Sequence, residues 1–230
     1  MAAQDTWPSI LGLGLLFAGS HLVLSSRILR PRLVSALGAR GFLGLYSAVA
    51  LATFVPFAWL WWTHRHGGPL LFSLRDLAAA RGLSIALSLA GIAFAVAALF
   101  QPSPLSLGAG SDPAARGLVR ITRHALFAGF GLFGLGHVLM NGWASDLAFF
   151  GVLGGFSVAG ALHQDARRRA EDPGRFGPFF AETSLVPFAA ILTGRNRLVL
   201  RELPWPALGL GAGAGWVRET MFGKRAVRVS

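Results

Sequence analysis

The sequence predicts an all-α protein, a polytopic transmembrane helix bundle with five to six spans. Composition is the first reason: hydrophobic residues make up 53% of the 230 residues and charged residues only 13%, whereas soluble domains carry about 25% charged residues. The second reason is a series of apolar runs of about the length that crosses a bilayer core. They are residues 8–26, 42–62, 82–100, 124–140 and 143–162, with a shorter sixth candidate at 203–217.

The arginines indicate how these runs are oriented. The formal net charge is +11, and many of the arginines lie in the connections after the first, third and fifth runs. The positive-inside rule places these connections in the cytoplasm and the N-terminus outside. The arginines are Arg27, Arg30, Arg32 and Arg40 in the first connection, Arg116, Arg120 and Arg123 in the next, and Arg167, Arg168, Arg169 and Arg175 in the last.

The residue content excludes several classes of site and partner. The chain has no cysteine, which excludes disulfides, thiolate nucleophiles and iron–sulfur clusters. It contains no P-loop, dinucleotide-binding fingerprint or nucleophile elbow. The basic residues border apolar runs and do not alternate with aromatic residues on a soluble face, so nucleic acid is not an expected partner. The expected partner is the lipid bilayer.

His21 lies inside the first apolar run, in the segment LGLGLLFAGSHLVLSS. An ionisable ring within the hydrocarbon is costly, so we expect it to face the bundle interior and to have a partner there. Ser25 shares its helix face one turn later. The ring either forms a structural hydrogen bond between helices or takes part in function.

His137 lies near the end of the fourth run, beside Gly131, Gly134 and Gly136. These glycines either allow a neighbouring helix to pack closely or leave room for a flat cofactor. Neutral imidazole is a common metal ligand and a standard axial ligand of haem iron. Because cysteine is absent, paired imidazoles are the haem ligands that this sequence can supply, and bound haem is one hypothesis for the site.

His124 begins the same run and directly follows Arg123. On an ideal helix its ring lies about 140° around and about 20 Å along from that of His137, so a straight helix cannot direct both at one cofactor. In depth, His21 is nearer to His124 than to His137. Arg123 and His124 are interpreted either as a site for an anionic headgroup or propionate, or as interfacial residues at a helix start.

The remaining histidines follow apolar runs. His64 and His66 lie beside Trp61 and Trp62, an arrangement typical of the aromatic belt at a membrane interface. His163 follows the fifth run. All three are interpreted as interfacial residues.

Three segments, HLVLSSRILRPRLVSALGARGFLGLYSAVAL (21–51), ITRHALFAGFGLFGLGHVLMNG (121–142) and ETSLVPFAAILTGR (182–195), together resemble the NnrU family of bacterial membrane proteins. The plant zeta-carotene isomerase is a relative of that family. The resemblance implies a single membrane domain over residues 8–223, followed by a basic tail at 224–230, in a bacterial inner membrane.

In the isomerase branch, the resemblance implies b-type haem held by His21 and His137 as metal ligands, with His124 as a further functional histidine. That branch isomerises a central cis double bond of a linear carotene, a lipophilic polyene, in a redox-regulated reaction at the haem iron. The NnrU branch is associated with nitrite and nitric oxide respiration. The resemblance therefore implies either a haem-dependent isomerase or a function in denitrification.

The chain departs from the family pattern at three places. Ala125 stands where the pattern R-H-P has proline, and Gly134 stands where the plant pattern has cysteine. The C-terminal histidine that often precedes the final F-G is replaced in the region of Arg218 and Glu219.

Two other roles stay open. One is a non-enzymatic helper of nitrogen-oxide respiration. The other is a membrane methyltransferase of the isoprenylcysteine type, whose R-H-P-x-Y-x-G motif is partly matched by RHALFAG (123–129), without the proline and the tyrosine.

The arginine distribution gives the first testable prediction. Reporter fusions should place the N-terminus outside and residues 27–41 in the cytoplasm, because the first connection carries four arginines and no acidic residue. A periplasmic reporter active at residues 30–40 would contradict this orientation.

Overall fold

The structure is a computed structural model that describes residues 5–106 and 113–222. Apart from one isolated antiparallel bridge between Leu70 and Trp143, the regular secondary structure of these residues is helical. The helices are α1 (Trp7–Leu24), α2 (Leu29–Thr63), α3 (Ala78–Phe100), α4 (Leu118–Ile121), α5 (Ala125–Met140), α6 (Ala144–Glu171), α7 (Pro173–Glu182), α8 (Ala189–Leu192) and α9 (Trp205–Phe222), with a 3-10 helix at Leu200–Glu202.

Four of the described helices, α1, α2, α3 and α6, are long and apolar enough to cross a membrane. The shorter apolar helix α5 has 16 residues, which is about 24 Å of helix. Large apolar side chains such as Leu15 and Leu51 are about 60% exposed (59% and 63%), as expected for residues that face lipid. The all-α transmembrane fold is confirmed, and the chain is an integral membrane protein.

Helix α2 begins before the predicted second span and contains a break. Gly38 has φ 72° and ψ 167°, a conformation that glycine adopts without the steric cost of a side chain. The break separates residues 29–37, which include Arg30 and Arg32, from the apolar remainder of the helix. The first connection, which the sequence predicted as a link between spans, is therefore largely helical.

The chain divides into two compact units, Met1–Arg81 with His137–Phe156, and Gly82–Gly136 with Ser157–Ser230. This division does not test the single membrane domain expected over 8–223, which stays a prediction. The basic tail at 224–230 lies outside the described residues.

In the first unit, aromatic rings join α1 to α2. Phe17 contacts Phe54 at 5.3 Å between ring centroids, and Phe57 is fully buried. Gly14 allows this packing, since a Cβ there would lie 2.8 Å from the ring of Phe57.

The connection after α2 is hydrogen-bonded to the start of α6. The backbone N–H of Ala144 donates to the carbonyl of Pro69 at 3.0 Å, and that of Leu71 donates to Gly142 at 2.8 Å. The N–H of Gly67 donates to the hydroxyl of Ser145 at 2.9 Å. These bonds fix the position at which α6 begins.

In the second unit, glycines bring α3 and α5 into backbone contact. A Cβ on Gly91 would lie 2.6 Å from the backbone nitrogen of Phe133, and a Cβ on Gly136 would lie 2.6 Å from the hydroxyl oxygen of Ser88. Ser84 also donates a hydrogen bond to the carbonyl of Gly136 at 2.6 Å. At Gly136 the absence of a side chain therefore serves close helix packing, the first of the two interpretations from the sequence.

This contact predicts that Gly91→Ala destabilises the protein by about 1–3 kcal/mol, since the added methyl group overpacks the helix pair. Gly154→Ala in α6 is the matched control, because no atom lies within 4 Å of a Cβ there. Thermal unfolding in detergent should show a lower midpoint for Gly91→Ala alone. Equal midpoints for the two variants would contradict the α3–α5 contact.

Candidate functional site

The segment Thr122–Arg123–His124 turns the chain between α4 and α5. Thr122 is extended (φ −152°, ψ 134°) and therefore ends the short helix α4. Its hydroxyl accepts a hydrogen bond from the backbone N–H of His124 at 3.3 Å, as a capping threonine does at the start of a helix. The carbonyl of His124 in turn accepts from Ala128 at 2.8 Å. Local chemistry thus starts α5 and places two cationic-type side chains side by side.

Both side chains bind the carboxylate of Asp165 on α6. The Nε of Arg123 donates to Oδ2 at 2.8 Å, and Nε2 of His124 lies 2.6 Å from Oδ1. Because carboxylate oxygens accept hydrogen bonds, the tautomer of His124 with a proton on Nε2 fits this contact. All three residues are buried, with exposed fractions of 8%, 3% and 6% for Arg123, His124 and Asp165. The guanidinium balances the charge of the buried carboxylate.

The segment after α7 completes the cluster with backbone carbonyls. Arg123 donates from its side chain to the carbonyl of Thr183 at 3.0 Å and from its backbone N–H to Ser184 at 3.0 Å. The hydroxyl of Thr122 donates to Leu185 at 2.8 Å. Two of the sequence segments that carry the family resemblance, 121–142 and 182–195, therefore meet here through hydrogen bonds.

The sequence singled out Arg123 and His124 but not their shared partner. Asp165 follows the apolar run among basic residues, so it resembles an ordinary interfacial acid. The structure gives Arg123 and His124 an anionic partner within the chain. Their contact with a headgroup phosphate or a propionate stays a prediction.

His21 is enclosed by aromatic side chains in the first unit. Its Nδ1 lies 2.7 Å from the carbonyl oxygen of Phe17, so Nδ1 carries the proton and Nε2 the lone pair. The ring centroid lies 4.3 Å from that of Phe17, 5.1 Å from that of Tyr46 and 5.4 Å from that of Phe156. The side chain therefore has a metal-binding nitrogen in an apolar, aromatic environment.

His137 also lies in the first unit and stacks on Phe150 at 4.4 Å between ring centroids. The ring of His21 contacts Phe156 on the same helix, α6. These contact positions are about 9 Å apart along an ideal helix and about 120° apart around it. The two histidines therefore pack against different faces of α6, and their binding to one iron stays a prediction that requires α6 to shift locally.

A second buried carboxylate lies near the start of α6. Asp146 is fully buried and accepts a hydrogen bond from Nε1 of Trp61 at 2.8 Å. Nδ1 of His66 lies 2.7 Å from its other oxygen. The sequence placed Trp61 and His66 at the interface but did not identify this acceptor. Within the described ranges, no group of three or more His, Cys, Asp or Glu side chains is arranged to hold a metal ion.

Comparison with protein families places these features in a known family. Residues 10–209 match the family model described as NnrU protein. The chain belongs to the NnrU family. The matched range contains the segments 21–51, 121–142 and 182–195 on which the sequence resemblance rested. No curated protein and no solved structure matches the chain, so the relation to zeta-carotene isomerase stays a prediction.

The Asp165 cluster gives a prediction about stability. Asp165→Ala should lower the free energy of unfolding by about 3–5 kcal/mol, because it leaves the buried guanidinium of Arg123 without its counter-charge. Glu182→Ala is the control, since Glu182 is an exposed acid in the same unit. Chemical unfolding in mixed micelles measures both variants, and equal free energies of unfolding would contradict the role of Asp165.

Proposed function

We propose that this NnrU-family protein binds b-type haem in a bacterial inner membrane, with His21 and His137 as axial ligands, and acts on a lipophilic polyene. The observation that carries the proposal is the hydrogen bond between Nδ1 of His21 and the carbonyl of Phe17, 2.7 Å long. Metal-binding histidines commonly donate their second ring N–H to a carbonyl or carboxylate, which fixes the tautomer. His21 meets this requirement before any metal is bound.

The residues around His21 fit a haem in donor type and in polarity. Neutral imidazole is a standard haem ligand, and Phe17, Tyr46 and Phe156 provide the apolar contacts that a porphyrin needs. When bound, the haem iron would supply redox-controlled chemistry at a polyene double bond. The chain's own contribution is to hold the ligand nitrogen, to exclude water from it, and to admit only molecules that dissolve in the membrane.

His137 is proposed as the second ligand because its ring is nearly buried, at 9% exposure, and contacts an apolar ring. Since the two histidines contact different faces of α6, binding of both to one iron would displace the Phe150–Phe156 stretch of α6. This displacement distinguishes the pair from a site that is complete without movement.

A second candidate is a non-enzymatic helper of nitrogen-oxide respiration. One observation favours it: the carboxylates of Asp146 and Asp165 are already hydrogen-bonded to side chains of the protein. A buried carboxylate with such partners is not poised to exchange protons with a substrate. Haem binding without turnover of a polyene would select this candidate.

The test is an absorption spectrum of the detergent-purified protein, oxidised and reduced. We expect a Soret band in the parent protein, loss of at least about 80% of it in His21→Ala and His137→Ala, and retention in His64→Ala, whose histidine is exposed. His124→Ala should reduce the band less than His21→Ala does.

A parent protein without a Soret band would contradict the proposal. Full retention in His21→Ala would contradict the assignment of that ligand, and loss in His124→Ala together with retention in His137→Ala would move the second ligand to His124. Conversion of a cis polyene by the haem-loaded protein separates the enzymatic role from the helper role.

A further inference from the structure

A cavity of about 370 Å³ lies in the second unit, apart from the histidines and carboxylates described above. Its volume is in the range of sites that bind small molecules or headgroups. It is formed by the connection that follows α3 and by the 3-10 helix. The lining residues are Gln101, Pro102, Pro104, Ala114, Arg116, Gly117, Val119 and Glu202.

The carboxylate of Glu202 is held in a fixed position in this cavity. One of its oxygens accepts from Nε of Arg120 at 2.7 Å and from the backbone N–H of Gly117 at 2.9 Å. The other accepts from the same guanidinium at 3.2 Å. The hydrogen bond from Arg120, followed by that from Gly117, lowers the pKa of Glu202 to about 2. The carboxylate is therefore ionised at neutral pH.

Glu202 retains the capacity to accept another hydrogen bond. An ionised carboxylate offers about four acceptor positions, and the three bonds described above occupy three. Arg116 lines the same cavity and is exposed, so its guanidinium can donate to an anion. The cavity thus presents an acceptor for a cationic group and, separately, a donor for an anionic group. Such a pair fits a zwitterion better than a simple anion.

The surroundings of the cavity indicate a lipid. Leu99 and Phe100, the last residues of α3, are 71% and 66% exposed and directly precede the lining residue Gln101. Such exposed apolar side chains on a transmembrane helix face acyl chains. Pro102 and Val119 add apolar surface to the lining. A headgroup in the cavity would therefore be continuous with acyl chains along the end of α3.

We propose that this cavity binds the headgroup of an aminophospholipid, a phosphoethanolamine, with its phosphate on Arg116 and its ammonium on Glu202. This proposal goes beyond haem binding and does not depend on it. An ammonium supplies the N–H donors that Glu202 can still accept. A choline group has no N–H, and a glycerol headgroup has no positive charge, so phosphatidylcholine and phosphatidylglycerol each satisfy only one of the two residues.

The experiment measures lipid binding by native mass spectrometry of the full chain in a nonionic detergent. The probes are dihexanoyl phosphatidylethanolamine, the corresponding phosphatidylglycerol and phosphatidylcholine, soluble phosphoethanolamine and inorganic phosphate. We expect phosphatidylethanolamine to bind about tenfold more tightly than either of the other lipids, since a charge-assisted hydrogen bond distinguishes them. The two soluble probes should bind more weakly than the lipid, because they lack the acyl chains.

Two variants test the site itself. Arg116→Gln should weaken phosphatidylethanolamine binding about tenfold through loss of the phosphate donor. Ala114→Leu should weaken it by occupying the cavity. Arg197→Gln is the matched control, because Arg197 is an exposed arginine of the same unit outside the lining. Circular dichroism checks that all variants keep the helical content of the parent.

Equal binding of the three lipids, or tighter binding of phosphatidylglycerol, would overturn the proposal. So would an unchanged affinity in both Arg116→Gln and Ala114→Leu. Binding of soluble phosphoethanolamine without binding of the lipid would assign the cavity to a soluble zwitterion, and binding of inorganic phosphate alone would assign it to a free anion. Each of these results contradicts a lipid site.

Discussion

The carboxylate of Asp165 is the interaction on which the polar connections of the second unit depend. A charge removed from water is tolerated where an opposite charge and hydrogen bonds replace its hydration. Arg123 and His124 supply both, at 2.8 and 2.6 Å. Because the same arginine also donates to Thr183, the carboxylate holds the start of α5, the helix α6 and the segment after α7 together. The Arg–His pair that characterises the family resemblance therefore has a structural function in this chain.

The first unit contains a comparable arrangement. Asp146 is buried near the start of α6 and is bonded to an imidazole, His66, and to an indole N–H, Trp61. In both units a carboxylate on α6 is thus hydrogen-bonded to a histidine and to a second nitrogen donor. Between such polar anchors, helices in a membrane associate through close packing, since lipid is as apolar as their side chains. Gly91 and Gly136 provide that packing between α3 and α5.

The sequence predicted the helices well and the polar contacts poorly, for physical reasons. An apolar run long enough to cross the bilayer can be recognised from local composition. The partners of Asp165 lie 41 and 42 positions away in the chain and that of Trp61 lies 85 away, and no local pattern encodes such pairs. The helical break at Gly38 was also missed, because a glycine among many others carries no sign that its φ is positive. The exclusion of cysteine chemistry needed composition alone.

The most direct test of this account is the coupling free energy between His124 and Asp165 in a double-mutant cycle. Chemical unfolding in mixed micelles would compare the parent, His124→Ala, Asp165→Ala and the double variant. Residues that share a hydrogen-bonded network show coupling of about 0.5–3 kcal/mol, and we predict a value above about 1 kcal/mol within that range. Effects that add to within about 0.3 kcal/mol would show independent sites and would contradict the account.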